Sequence, residues 1–219
     1  MTDLEMLGYV DHTLLKAFAT WEEIEELCSE AVEYHTASVC IPPCYINRVR
    51  KAFPGLNICT VVGFPLGYSV TESKVLETEK AIEDGAAEVD MVVNISDVKN
   101  GDYSKVEKEI AELKKAAGSN ILKVIIETCY LTEEEKIAMC KTVTAAGADY
   151  IKTSTGFGTA GATLQDIELF KKHIGPDVKI KAAGGVRTLE DLKAYIDAGC
   201  SRVGASAAVK LAAQKKDSL

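Results

Sequence analysis

ILKVIIETCYLTEEEKIAMCKTVTAAGADYIKTS, residues 121–154, is the stretch on which the fold turns. It opens with an apolar, β-branched run at Ile121–Glu127 and passes Thr132, which three acidic residues follow. An amphipathic stretch, Glu133–Ala146, then stops at Gly147, and a second strand-like run occupies Tyr150–Ser154. A threonine ahead of an acidic first turn is a helix start, because its hydroxyl accepts from an orphan N–H and the carboxylates favour the positive helix end. Glycine just past the last helical residue is the matching stop. The stretch reads as strand, helix, strand with short connections, a parallel βαβ unit.

The same unit recurs in both directions. Further strands are expected at Tyr9–Thr13, Ser38–Pro42, Asn57–Phe64, Glu88–Asn94, Lys179–Ala183 and Arg202–Ala205. Helices are expected at Trp21–Tyr34, Glu72–Asp84, Tyr103–Ala117, Leu164–Ile174 and Leu189–Ala198, with one more from about Ala207. Thr20, Thr71, Thr163 and Thr188 repeat the start signal, and Gly85, Gly118, Gly175 and Gly199 the stop. Strict alternation implies a parallel sheet covered by helices. Eight units favour closure over an open doubly wound sheet. No linker interrupts them, so the expected fold is a single-domain (β/α)8 TIM barrel over residues 1–219.

Composition narrows the function. The chain has 219 residues, 47% of them hydrophobic and 26% charged, within the range of globular proteins. A net charge of -8 argues against nucleic acid as a partner, which needs a basic footprint. No apolar run approaches the ~20 residues of a membrane span, and the N-terminus does not read as a secretory signal. Seven scattered cysteines fit reduced thiols, so a cytoplasmic protein is expected. The three histidines are far apart in sequence and no CxxC occurs, so no metal site is expected.

Barrel strands are buried on both faces, where an unpaired charge is costly. Yet Asp90, Lys123, Lys152 and Lys181 fall on four consecutive expected strands. Pointing inward, they would meet in the lumen near the C-terminal face. A structural ion cluster would balance its charges, whereas three lysines outnumber the carboxylates in this count. The surplus has a chemical use. A free lysine has a pKa of about 10.4, and lowering it to about 7 takes roughly 4 kcal/mol. A second ammonium about 4 Å away, at an effective dielectric near 20, supplies that much. Two lysines on adjacent strands can thus make one a nucleophilic amine, and a nearby aspartate can shuttle protons.

An acidic protein needs a local cradle to hold an anionic substrate. Strand seven runs into Gly184-Gly185-Val186-Arg187 and strand eight into Gly204-Ala205-Ser206, the loops that usually bind phosphate in barrel enzymes. Thr155–Gly161, a Gly-rich loop, follows the Lys152 strand, with Thr153 and Ser154 as polar substrate contacts.

Five segments together resemble the deoxyribose-phosphate aldolases. They are Tyr150–Gly158, Glu88–Asn94, Leu122–Thr128, Lys179–Arg187 and, near the start, Asp11–Lys16, and Ser38–Pro43 matches as well. The resemblance implies reversible cleavage of 2-deoxy-D-ribose 5-phosphate to D-glyceraldehyde 3-phosphate and acetaldehyde, without metal or organic cofactor. It implies that Lys152 forms the imine, that Lys181 tunes it, and that Asp90 acts with a water as acid and base. Lys123 would support Asp90 and the substrate hydroxyls, and Gly184, Gly185, Gly204 and Ser206 would hold the phosphate. It also implies a homo-oligomer, dimeric or larger. Two features depart from some relatives: Ala207 stands where they have a second serine, and the ending Lys215–Leu219 lacks their terminal tyrosine. Cys40 is expected to be a small buried residue.

Three rival readings come from other chemistry. Another phosphorylated sugar would suit the same Schiff-base machinery. A phosphometabolite-binding barrel would not need both Lys152 and Lys181. A phosphate-binding isomerase would call for a Glu or Cys base.

Overall fold

A computed structural model describes residues 1–216 and contains a closed barrel of eight parallel strands in sequence order. The strands are β1 (Val10–Thr13), β2 (Ser38–Ile41), β3 (Ile58–Val62), β4 (Glu88–Val92), β5 (Ile121–Ile125), β6 (Tyr150–Lys152), β7 (Lys179–Ala183) and β8 (Arg202–Ala205). The larger helices are α2 (Trp21–Tyr34), α4 (Thr71–Glu83), α6 (Tyr103–Ala117), α7 (Glu133–Ala145), α8 (Leu164–His173), α9 (Leu189–Ala198) and α10 (Ala208–Lys216). Pairing of β1 with β8 closes the ring, with Asp11 opposite Gly204.

The core lies between the strands and the helix layer. Along β4 to β8, Val89, Met91, Leu122, Val124, Ile151, Ile180, Ala182 and Val203 all join one apolar cluster. Helix α6 meets that layer with Val106, Ile110, Leu113 and Ala117, spaced so that one stripe faces inward. Each such side chain contributes about 1.5–3 kcal/mol when fully buried. Because side chains alternate along a strand, the residues between these apolar ones face the lumen. They are the charged ones.

Thr20, Thr132 and Thr188 each form a complete capping box, and Thr163 accepts from the N–H of Asp166. Thr71 departs from expectation. It is the first helical residue of α4, Val70 precedes it without a side-chain cap, and the Thr71 hydroxyl instead donates to Glu109. Glu109 is already bound at 3.0 Å by the buried Lys74, so Thr71 completes a polar clasp between α4 and α6. Gly175 differs too: it closes α8 without a positive φ and is small because its added Cβ would lie 2.4 Å from Thr144.

Three short helices, α1 (Asp3–Leu7), α3 (Ile46–Ala52) and α5 (Ile95–Lys99), were not foreseen. Strand β6 ends at Lys152 rather than Ser154, although the Thr153 backbone still donates to Lys181 O and accepts from Thr128 N. No helix among the described residues is long and apolar enough to cross a membrane. Of the tail ending at Leu219, residues 217–219 lie outside the described residues.

Candidate active site

Strand register builds the lumen cluster. Asp90 pairs across to Lys123, Lys152 to Lys181, and Lys181 to Arg202. All of these side chains turn inward, and the three lysines meet at Asp90. Its Oδ2 accepts from Lys152 Nζ and from Lys181 Nζ, each at 2.7 Å, and its Oδ1 accepts from Lys123 Nζ at 2.9 Å and the Cys59 thiol at 3.2 Å. The two amines on Oδ2 can therefore be no farther apart than two such contacts end to end.

The cluster is larger than the sequence count suggested. Asp11 on β1 binds both Lys181 and Arg202 and accepts from Ser38 at 2.8 Å. Glu88, two residues before Asp90, binds Lys123 at 2.5 Å and Arg202 at 2.6 Å. Four cations thus face three carboxylates, and the expected surplus of positive charge shrinks to one. Period-two spacing held the missing signal: Glu88 shares a face with Asp90, Arg202 shares one with Gly204, and Asp11 lies inside the short β1.

The electrostatics follow from this interlocking. Burial alone would raise the Asp90 carboxyl, but Lys123, Lys152 and Lys181 around it hold it well below the usual carboxylate range. Asp11 is likewise held down against burial by Lys181, Lys123 and Arg202, and Glu88 by Lys123 and Arg202. Burial would lower the ammonium of Lys181, yet Asp11 and Asp90 push it above its ordinary value. Lys123 is raised for the same reason, chiefly by Asp90. Both lysines stay charged at neutral pH.

Above the cluster opens a cavity of about 290 Å³ at the C-terminal ends of the strands. Lys152 lines it, together with Gly184, Gly185, Gly204, Ser206 and the Thr155–Phe157 turn. Lys16, on the β1–α2 loop, is the other charged side chain of its wall. Gly184 and Gly185 both have φ near +80°, a conformation that L side chains disfavour. The two Gly-rich loops also interlock, since a Cβ on Gly161 would lie 2.2 Å from the Gly184 carbonyl oxygen. Five expected site residues, Lys152, Gly184, Gly185, Gly204 and Ser206, are therefore brought to one cavity, with Asp90 and Lys181 directly beneath.

Two further expected site residues do not line the cavity. The Thr153 hydroxyl is spent on the β7 backbone, donating to Ala183 O at 3.2 Å and accepting from Ala183 N at 3.1 Å, so it ties β6 to β7 and does not line the cavity. Lys123 supports Asp90 as expected, but it is fully buried between Glu88 and Asp90 and does not line the cavity. Ser154, by contrast, has a buried hydroxyl without a partner.

A wider groove of about 750 Å³ runs between α7 and α8 outside the barrel, where Lys136 and Asp166 already pair at 2.7 Å. Cys40, buried as expected, joins Cys59 and Asp90 in a set whose ligand atoms lie within 4.8 Å of one another. Both Asp90 oxygens are occupied by ammonium groups, so a cation here would have to displace lysines in an already cationic lumen.

Comparison with known proteins gives a consistent picture. A family model described as DeoC/LacD family aldolase matches residues 6–213. A deoxyribose-phosphate aldolase of Clostridium botulinum (strain Alaska E43 / Type E3) is 67% identical over 212 residues, 96% of either chain. One from Clostridioides difficile (strain 630) is 59% identical, covering 94% of either chain. The structure described as a tetrameric deoxyribose phosphate aldolase from Aeropyrum pernix superposes with a TM-score of 0.91 at 30% identity, covering 100% of this chain and 94% of that one. Matched along nearly all its length in sequence and in architecture, the chain belongs to the DeoC/LacD aldolase family.

Proposed function

We propose that the protein reversibly cleaves 2-deoxy-D-ribose 5-phosphate to D-glyceraldehyde 3-phosphate and acetaldehyde through an imine on Lys152. One observation carries the assignment: of the three lumen lysines, Lys152 alone lines the cavity, while Lys123 and Lys181 are sealed beneath it. Only an amine that reaches the cavity can meet a carbonyl carbon.

Each step has a group at hand. The Lys152 amine adds to C1 of the open-chain aldehyde, and water leaves as the imine forms. A base removes the proton of the C3 hydroxyl, the C2–C3 bond breaks, and its electron pair moves toward the protonated imine. Glyceraldehyde 3-phosphate departs, the remaining enamine takes a proton at C2, and water releases acetaldehyde. Asp90, acting through a water, is the proton carrier, since it touches the Lys152 amine directly. Lys181 donates to the same Asp90 oxygen as Lys152, so it is placed to act on the imine-forming amine as a neighbouring charge. Gly184, Gly185 and Ser206 supply N–H groups for the phosphate, with Lys16 adding positive charge at the rim. Exposed Leu66, Tyr68, Val70 and Leu76, grouped on the β3–α4 loop and α4, support self-association.

Borohydride reduction in the presence of acetaldehyde, followed by peptide mapping, tests the chemistry. One reduced two-carbon adduct is expected, on Lys152; label confined to Lys181, or none, would refute the assignment. Lys181→Met should leave a charge-balanced, folded lumen while lowering turnover at pH 7 by about 10²–10³-fold. Its pH–rate profile should move to higher pH, and an unmoved profile would show that Lys181 does not tune the amine.

A further inference from the structure

Glu127 lies just past the end of β5, with φ 52° and ψ 68°, in the left-handed region that a glutamate rarely occupies. It is 1% exposed. Its carboxylate accepts the N–H of Thr155 at 3.2 and 3.3 Å and, by a very short bond, the Thr155 hydroxyl. The same hydroxyl oxygen accepts the N–H of Phe157 at 3.0 Å. The loop is seated tightly on this group, because a Cβ on Gly158 would come within 3.1 Å of the Glu127 carboxyl carbon. A strained backbone and a buried carboxylate are thus committed to one turn, and that turn, Thr155–Phe157, is a wall of the cavity.

Residue type explains the choice. Thr155 presents two donors, N–H and O–H, and an ionised carboxylate accepts both while offering no competing donor. An amide would turn an NH2 group toward the threonine oxygen and loosen the clasp.

We infer that Glu127 is a positioning residue, which holds the Thr155–Phe157 wall preformed against Gly184 and Gly185 so that a phosphorylated sugar binds without first ordering the loop. This rests on the substrate class proposed above. A preorganised wall acts on binding, so its loss should appear in KM rather than in imine formation.

The test uses Glu127→Gln, Thr155→Val and their combination. Each single change should raise KM for 2-deoxyribose 5-phosphate about 10-fold, with kcat and the rate of acetaldehyde trapping at Lys152 within about 2-fold of the parent. The double variant should add little, because both changes cut the same clasp. An unchanged KM with only a lower Tm would overturn the inference, as would slower trapping with KM unmoved. Amide exchange of residues 155–158 needs no turnover and should quicken in both variants. Unaltered exchange would refute the clasp whatever the substrate proves to be, whereas faster exchange in a protein that traps no acetaldehyde would fault the substrate reading alone.

Discussion

Replacing Lys152 by Met should abolish borohydride-trapped adduct and lower aldol cleavage by at least about 10⁴-fold, with the fold preserved. The neighbouring lysines offer no reserve, because Lys123 and Lys181 are walled off from the cavity and held as ammonium ions by their carboxylates. Lys152→Arg should fail equally, since a guanidinium remains protonated and cannot add to a carbonyl. Folding should tolerate the loss: removing Lys152 leaves three cations facing three carboxylates, and Asp90 keeps two ammonium partners. Residual trapping in Lys152→Met, located to another lysine by peptide mapping, would move the chemistry elsewhere.

The opposite behaviour is expected of Asp11→Ala. Here the cluster loses an anion, and the fully buried Lys181 and the partly buried Arg202 each lose a carboxylate. Breaking a buried pair from one side costs about 3–5 kcal/mol, which for a chain of this length lowers Tm by on the order of 10 °C. Calorimetry should show this, and a Tm within about 2 °C of the parent would contradict it. The parent's pH response has a definite sign. Asp11, Asp90 and Glu88 are held below their unfolded values, so the stability they contribute is present above about pH 4–5 and drains away as pH falls below it. Lys123 and Lys181 are raised, so their contribution persists until the pH climbs past about 10. The acid limb of unfolding should therefore be shallower in Asp11→Ala, where one titrating carboxylate is gone.

Most of the barrel could be read from residues alone, because its strand and helix periods are regular and its helix starts are chemically marked. The three unforeseen helices span five to seven residues each, too short to display a 3.6-residue period. Thr71 misled because a threonine before an acidic turn looks like a cap until its partner, Glu109 on a distant helix, is known. The lumen was legible in part for a similar reason. Asp90 and the lysines stand out as charges inside apolar runs. Arg202 opens its strand and Asp11 lies in a four-residue one, so each is a weaker signal than a charge inside a long apolar run. Thr153 illustrates the reverse error, since adjacency to Lys152 in sequence places it on the other side of the strand, where β7 claims its hydroxyl. Glu127 sits in a strand-like run, and nothing in its neighbours announces a left-handed backbone.

The closing seam has a consequence for the order in which the lumen assembles during synthesis. Asp11 meets Lys181 and Arg202 across 170 and 191 residues of sequence, so the first strand must wait for the last ones before the pairs exist. Contacts of such long range are entropically late in folding. Lys152 and Lys181 already meet across the neighbouring strands β6 and β7, but until that seam zips Lys181 and Arg202 both lack the Asp11 carboxylate. The ion network beneath the cavity is in this way completed last, by the meeting of the chain's first strand with its final two.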